Sequence, residues 1–101
     1  MKQLRVVLNT NVLVSALMSP SGNPAEIYKM FFTGDLGLVY NESILSEYDD
    51  VLHRPYLRIP DEDDRAFYDI AKSSGAYLVT GNTRHYPNES FILTPTEFMG
   101  L

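Results

Sequence analysis

The sequence predicts an α/β fold, a parallel sheet of about four strands with helices on both faces. One observation is the stretch from Leu4 to Val14. There the apolar run Val6-Val7-Leu8 stops at Asn9-Thr10-Asn11 and a second apolar run follows. Successive aliphatic residues suit a strand buried on both faces of a parallel sheet. The next observation is that short apolar runs alternate with stretches of helical spacing along the chain. The last is that two of the strands, the first and the third, end in small polar residues: Asn9-Thr10-Asn11 and Gly81-Asn82-Thr83. In such sheets the carboxyl edge of the strands is where ligands bind.

Taken in order, Val12, Leu13, Ala16 and Leu17 share one helical face after the first strand. Ser19-Pro20-Ser21-Gly22-Asn23-Pro24 is a loop by composition. Asn23 is expected as an N-cap with Pro24 at the first helical position. The helix that follows turns Ile27, Met30 and Phe31 inward and ends at Gly34. Leu36 to Tyr40 reads as a second strand. Asn41 caps the next helix, with Glu42 in its first turn, and Ile44, Leu45, Tyr48, Val51 and Leu52 form its apolar stripe. Glu47 lies at the rim of that stripe, where a carboxylate can point into a cleft. Glu42, Asp49 and His53 fall on the other side. The helix stops near Arg54-Pro55, because the residue before proline avoids the helical region.

Tyr56 to Pro60 is a short extended connection. Asp61-Glu62-Asp63-Asp64 opens a helix whose inner face holds Phe67, Ile70, Ala71 and Ser74, with Gly75 as its C-cap. Ala76 to Thr80 is a third strand and Ser90 to Leu93 a last one. Thr94-Pro95-Thr96-Glu97 reads as a capped start of a brief terminal helix containing Phe98 and Leu101.

The 101 residues suffice for one domain, 1–101, with one core, and 45% of them are hydrophobic. There is no cysteine, so disulfides and thiolate metal sites are excluded. No apolar run reaches the roughly 18 residues of a membrane span, and the amino terminus lacks a signal-peptide pattern, so a cytoplasmic protein is expected. The net charge of −5 argues against a protein that coats nucleic acid. It leaves room for an enzyme whose acids hold cations that face phosphates.

Two strand ends carry Asn9 and Asn82, one helix carries Glu47, and one helix start carries Asp64. A parallel sheet can bring these four to one edge. Oxygen donors of this kind suit Mg²⁺ or Mn²⁺. Four adjacent acids at 61–64 repel one another, and a nearby cation would relieve that cost. No phosphate-cradling glycine motif is present. An aspartyl-phosphate phosphatase is disfavoured because Asn9 cannot form the phosphoaspartate.

These residues resemble the motifs of PIN-domain ribonucleases, in the VapC-like branch of toxins from type II toxin–antitoxin pairs. Asn9 to Leu17 resembles the first motif and Ser43 to Tyr48 with Val51-Leu52 the second, whose glutamate is Glu47. Pro60 to Tyr68 resembles the third, with Asp64 in the acidic position, and Tyr77 to Pro87 the fourth. The four occur in the right order from about Arg5 to the carboxyl terminus. The resemblance implies a three-layer PIN-like sandwich and Mg²⁺- or Mn²⁺-dependent cleavage of single-stranded RNA or a structured RNA loop. It implies a catalytic set of Asn9, Glu47, Asp64 and Asn82, with Glu47, Asp64 and Asn9 at the metal. Thr10 and Thr80 would support the acids or water, and Arg84 with His85 would touch substrate phosphates. A cognate antitoxin protein is the implied partner.

Two departures stand out. The family carries aspartate where this chain has Asn9, so activity is expected to be weakened or lost. A catalytically dead module that binds an antitoxin or RNA is the alternative. The family also has roughly two more helices between the Glu47 and Asp64 helices, where only Pro55 to Pro60 stands here. Their absence leaves apolar surface to hide, which predicts a homodimer, with segment exchange as one route.

Overall fold

The computed structural model describes residues 3–53 and 65–101. Its sheet contains β1 (Leu4–Leu8), β2 (Leu36–Leu38), β3 (Tyr77–Val79) and β4 (Ile92–Leu93). The order is β2-β1-β3-β4, and every pairing is parallel. Val6 and Leu8 point to one face of β1 and Val7 to the other, and all three are buried. Both faces of the central strand are therefore covered, as a parallel sheet requires. The α/β expectation holds.

Five α-helices surround the sheet among the described residues. They are α1 (Thr10–Met18), α2 (Asn23–Phe32), α3 (Glu42–Leu52), α4 (Arg65–Ser74) and α5 (Pro95–Met99). Helix α4 packs on β1 and β3, whereas α2 packs on α1, α5 and β2. Val6, Val7, Ile27, Ile44, Phe67 and Leu78 are among the core residues they enclose.

The helix ends follow their residue chemistry. The Asn41 side chain accepts the Ile44 N–H at 2.9 Å. Gly34 (φ +86°) and Gly75 (φ +70°) take the left-handed conformation just past α2 and α4. The Ala76 N–H then reaches back to the Ala71 carbonyl at 3.0 Å. Thr94 and Glu97 form a reciprocal capping box, with Pro95 opening α5. Replacing Thr94 by alanine is expected to cost about 1 kcal/mol. A urea midpoint that falls with unchanged slope would confirm it.

Some local expectations shift. Helix α1 begins at Thr10, with Asn9 as its cap, instead of after Asn11. Helix α2 is capped by Gly22, and Asn23 is its first residue, donating to Thr96 Oγ1 at 3.2 Å. Pro24 still falls where no intrahelical donor is needed. Strands β2, β3 and β4 are each shorter than their apolar runs. Leu17 is exposed while Val14 is fully buried, because α1 is enclosed on more than one side. Leu45 and Leu52 belong to the apolar stripe of α3 yet are 49% and 46% exposed. The helix stop at Arg54-Pro55, the extended connection 56–60 and the acidic run 61–64 lie outside the described residues.

Away from the sheet edge, Tyr68 donates to Glu89 at 2.8 Å, and Lys72 lies 3.3 Å from the Tyr68 hydroxyl. That hydrogen bond is the main cause that raises the Lys72 pKa, with Glu89 adding to it. The group ties α4 to the loop before β4.

Candidate functional site

The chain reverses its direction across the sheet at β1. It passes from β1 to β2 on one side, then returns to β3 and β4 on the other. The carboxyl ends of β1 and β3 are therefore adjacent strand ends whose connections leave in opposite directions. This is the position at which open α/β sheets form ligand crevices. Asn9-Thr10-Asn11 and Thr80-Gly81-Asn82 both sit there.

Each of these residues is held by a specific contact. Asn9 is fully buried; its Oδ1 accepts the Asn11 N–H at 3.0 Å and its Nδ2 donates to Tyr86 Oη at 2.6 Å. The buried Thr10 hydroxyl donates to Glu47 Oε2. Beside it, the Tyr48 hydroxyl donates to the Leu8 carbonyl, the last of β1. These two bonds lock α3 onto the end of the central strand and fix where Glu47 stands. Glu47 itself is half-buried, facing a cleft of about 170 Å³ lined by Ser43, Ile44, Ala66 and Phe67. The rim position read from the stripe thus corresponds to a carboxylate at a cleft.

The second strand end is tied in turn. Asn11 Oδ1 accepts the Gly81 N–H at 3.0 Å, and a Cβ on Gly81 would lie 3.4 Å from that oxygen. The buried Thr80 hydroxyl oxygen accepts the Asn82 N–H at 3.2 Å. Asn82 Nδ2 lies 3.0 Å from His85 Nε2. Arg84 and His85 are exposed on the single turn of 3₁₀ helix, η1 (Thr83–His85), that leaves the edge.

The structure thus brings Asn9, Thr10, Glu47, Thr80 and Asn82 to one edge through bonded contacts, with Arg84 and His85 beside it. Asp64 lies outside the described residues. Tyr48, Asn11, Gly81 and Tyr86 also hold this edge, and sequence reasoning gave none of them a role. Tyr48 reads as one more member of an apolar stripe, and Tyr86 sits in a polar loop without periodicity.

The donors are of the hard-oxygen type that a divalent cation prefers. Their number falls short: among the described residues no group of three or more His, Asp or Glu could hold a metal ion. Glu47 is the carboxylate that the edge bonds hold in place.

A family model for the PIN domain matches residues 5–59, more than half of the chain. The chain belongs to the PIN-domain family. The match takes in β1, Asn9 and the Glu47 helix, and the segment from Thr80 to Tyr86 lies outside it. PIN domains form a nuclease-type family and generally depend on divalent metal. An uncharacterised protein of Methanocaldococcus jannaschii is 27% identical to this PIN chain over 111 residues, covering 79% of the chain and 72% of the relative. Since 79% of 101 residues is about 80, roughly 30 of the 111 aligned positions fall where this chain has no residue. No solved structure matches it.

Proposed function

We propose that this PIN domain is a divalent-metal-dependent endoribonuclease, the toxin of a toxin–antitoxin pair, attenuated at its first acidic position. The observation that carries the reading is the Glu47 carboxylate. It is half-buried, held by Thr10 and placed at the switch point beside the ends of β1 and β3. Glu47 and Asp64 are the carboxylates assigned to the cation. When bound, a divalent ion would polarise a phosphate and lower the pKa of an attacking water. Asn82 stands where it can orient water, and Thr80 fixes the backbone beneath it. Arg84 and His85 are exposed at the same edge, where single-stranded RNA or a structured RNA loop would present its phosphates.

Asn9 contributes no charge, and its amide is occupied at both ends. The direct test compares RNA cleavage with Mn²⁺ by this chain and by Asn9→Asp. Gain of cleavage supports a disabled nuclease, and no cleavage by either folded protein overturns it. The second reading is a non-catalytic module that binds an antitoxin or RNA, and the engaged amide of Asn9 favours it.

The partner reading includes a homodimer in addition to a cognate antitoxin. Leu45 and Leu52 of α3 flank an apolar groove of about 640 Å³ that also takes in Leu38, Tyr28 and Phe31. In this reading a second copy covers that groove. Light scattering at micromolar concentration is expected to give a dimer, and Leu45→Lys a monomer. Glu42 and Asp49 at the rim repel their copies, so association should strengthen with added salt. A wild-type monomer counts against it. Among the described residues no helix is long and apolar enough to cross a membrane, and a cytoplasmic location belongs to the same reading.

A further inference from the structure

The environment of Asn9 does more than remove a charge. The orientation of its amide is dictated by its neighbours. The Asn11 N–H can only donate, so the amide oxygen must face it and the NH₂ must face the Tyr86 hydroxyl. Tyr86 is itself buried, and it comes from a point 77 residues further along the chain. A parallel tie runs from Asn11 Oδ1 to the Gly81 N–H, and the Asn9 N–H continues the ladder to the Val79 carbonyl at 3.0 Å. The end of β1 and the segment after β3 are thus joined by uncharged hydrogen bonds.

This bonding bears on what the edge requires. The Asn9 amide oxygen is fully buried and already accepts the Asn11 N–H. A carboxylate in the same buried place would carry a charge that needs a partner to offset its desolvation. The amide needs none, since one end accepts and the other donates. We propose that Asn9 and Tyr86 form a neutral latch that joins the end of β1 to the segment after β3 through uncharged hydrogen bonds alone. Tyr86 is a positioning residue in this scheme, acting through Asn9. The inference rests on the hydrogen-bond geometry and stands apart from the nuclease reading.

Thermal unfolding of the full chain tests it. Asn9→Ser keeps a capping oxygen for the Asn11 N–H and removes the donor to Tyr86. Tyr86→Phe removes the hydroxyl and keeps the ring. Each is expected to lower the unfolding midpoint by about 4–8 °C, the shift for one lost hydrogen bond in a chain of this size. The double variant should fall by less than the sum of the two single losses, because the Asn9–Tyr86 bond is lost in each. Additive losses overturn the latch. Hydrogen exchange at the Asn11 and Gly81 amides gives a second readout. Faster exchange in either single variant supports the latch, and unchanged protection in both overturns it. Neither measurement involves RNA, so failure here and failure of the nuclease reading are distinguishable.

Discussion

Asn9→Asp is expected to raise Mn²⁺-dependent RNA cleavage on the order of 10²-fold over the wild-type chain, the range associated with one well-placed electrostatic group in an active site. The substitution is nearly isosteric and puts a negative charge at the end of the central strand. One donor is already aimed at that position. The Asn11 N–H can bond one carboxylate oxygen, as it now bonds the amide. The amino terminus of α1 adds a favourable field for an anion there. The fold should therefore tolerate the charge, and the gain should appear as cleavage of a single-stranded RNA. Adding Glu47→Gln to the same chain should abolish the gain. A folded Asn9→Asp protein without activity would favour the binding-module reading.

Phe67→Ala is expected to have the largest effect on stability. Phe67 is 1% exposed and is among the largest fully buried side chains. Its ring lies 6.5 Å from that of Tyr48, centroid to centroid, so it packs α4 against α3 beneath the Glu47 cleft. Truncating a buried phenylalanine costs about 3–5 kcal/mol, from lost transfer free energy and the cavity left behind. Total stability of a domain is roughly 5–15 kcal/mol, so this is a large share. At about 4–8 °C per kcal/mol the midpoint should fall by about 12–40 °C. Circular dichroism melts would show it. A cost under about 1 kcal/mol would mean that α4 is not seated as described.

The local chemistry of the chain was largely legible. Asn41, Gly34, Gly75 and the Thr94–Glu97 box each mark a helix end by a mechanism confined to a few neighbouring residues. Such signals need no knowledge of the rest of the fold. The same holds for the strand cores, since runs such as Val6-Val7-Leu8 report burial on both faces. Membership of the PIN-domain family was also readable, and the family match over residues 5–59, which takes in the first two motifs, bears it out.

The spacing of apolar residues shows which face of a helix turns inward, and it says nothing of whether a neighbour is there to meet it. Leu45 and Leu52 share a stripe with Ile44, Tyr48 and Val51, yet only the latter three are covered within the described residues. Likewise, the composition of the polar run Asn9-Thr10-Asn11 does not say what each side chain meets. Tertiary contacts separate them. Asn9 caps α1 and reaches Tyr86, Thr10 holds Glu47, and Asn11 holds Gly81.

The amino-acid sequence by itself determined the class of fold, one end each of α2, α3, α4 and α5, and which strand ends would be polar, because those depend on interactions within a few residues. Only the tertiary structure decided which polar atoms at the edge face one another and which are left for a ligand. Those pairings join residues 37 to 77 positions apart. They are set by how strands and helices pack, since a short polar side chain bonds whatever the fold places within about 3 Å of it.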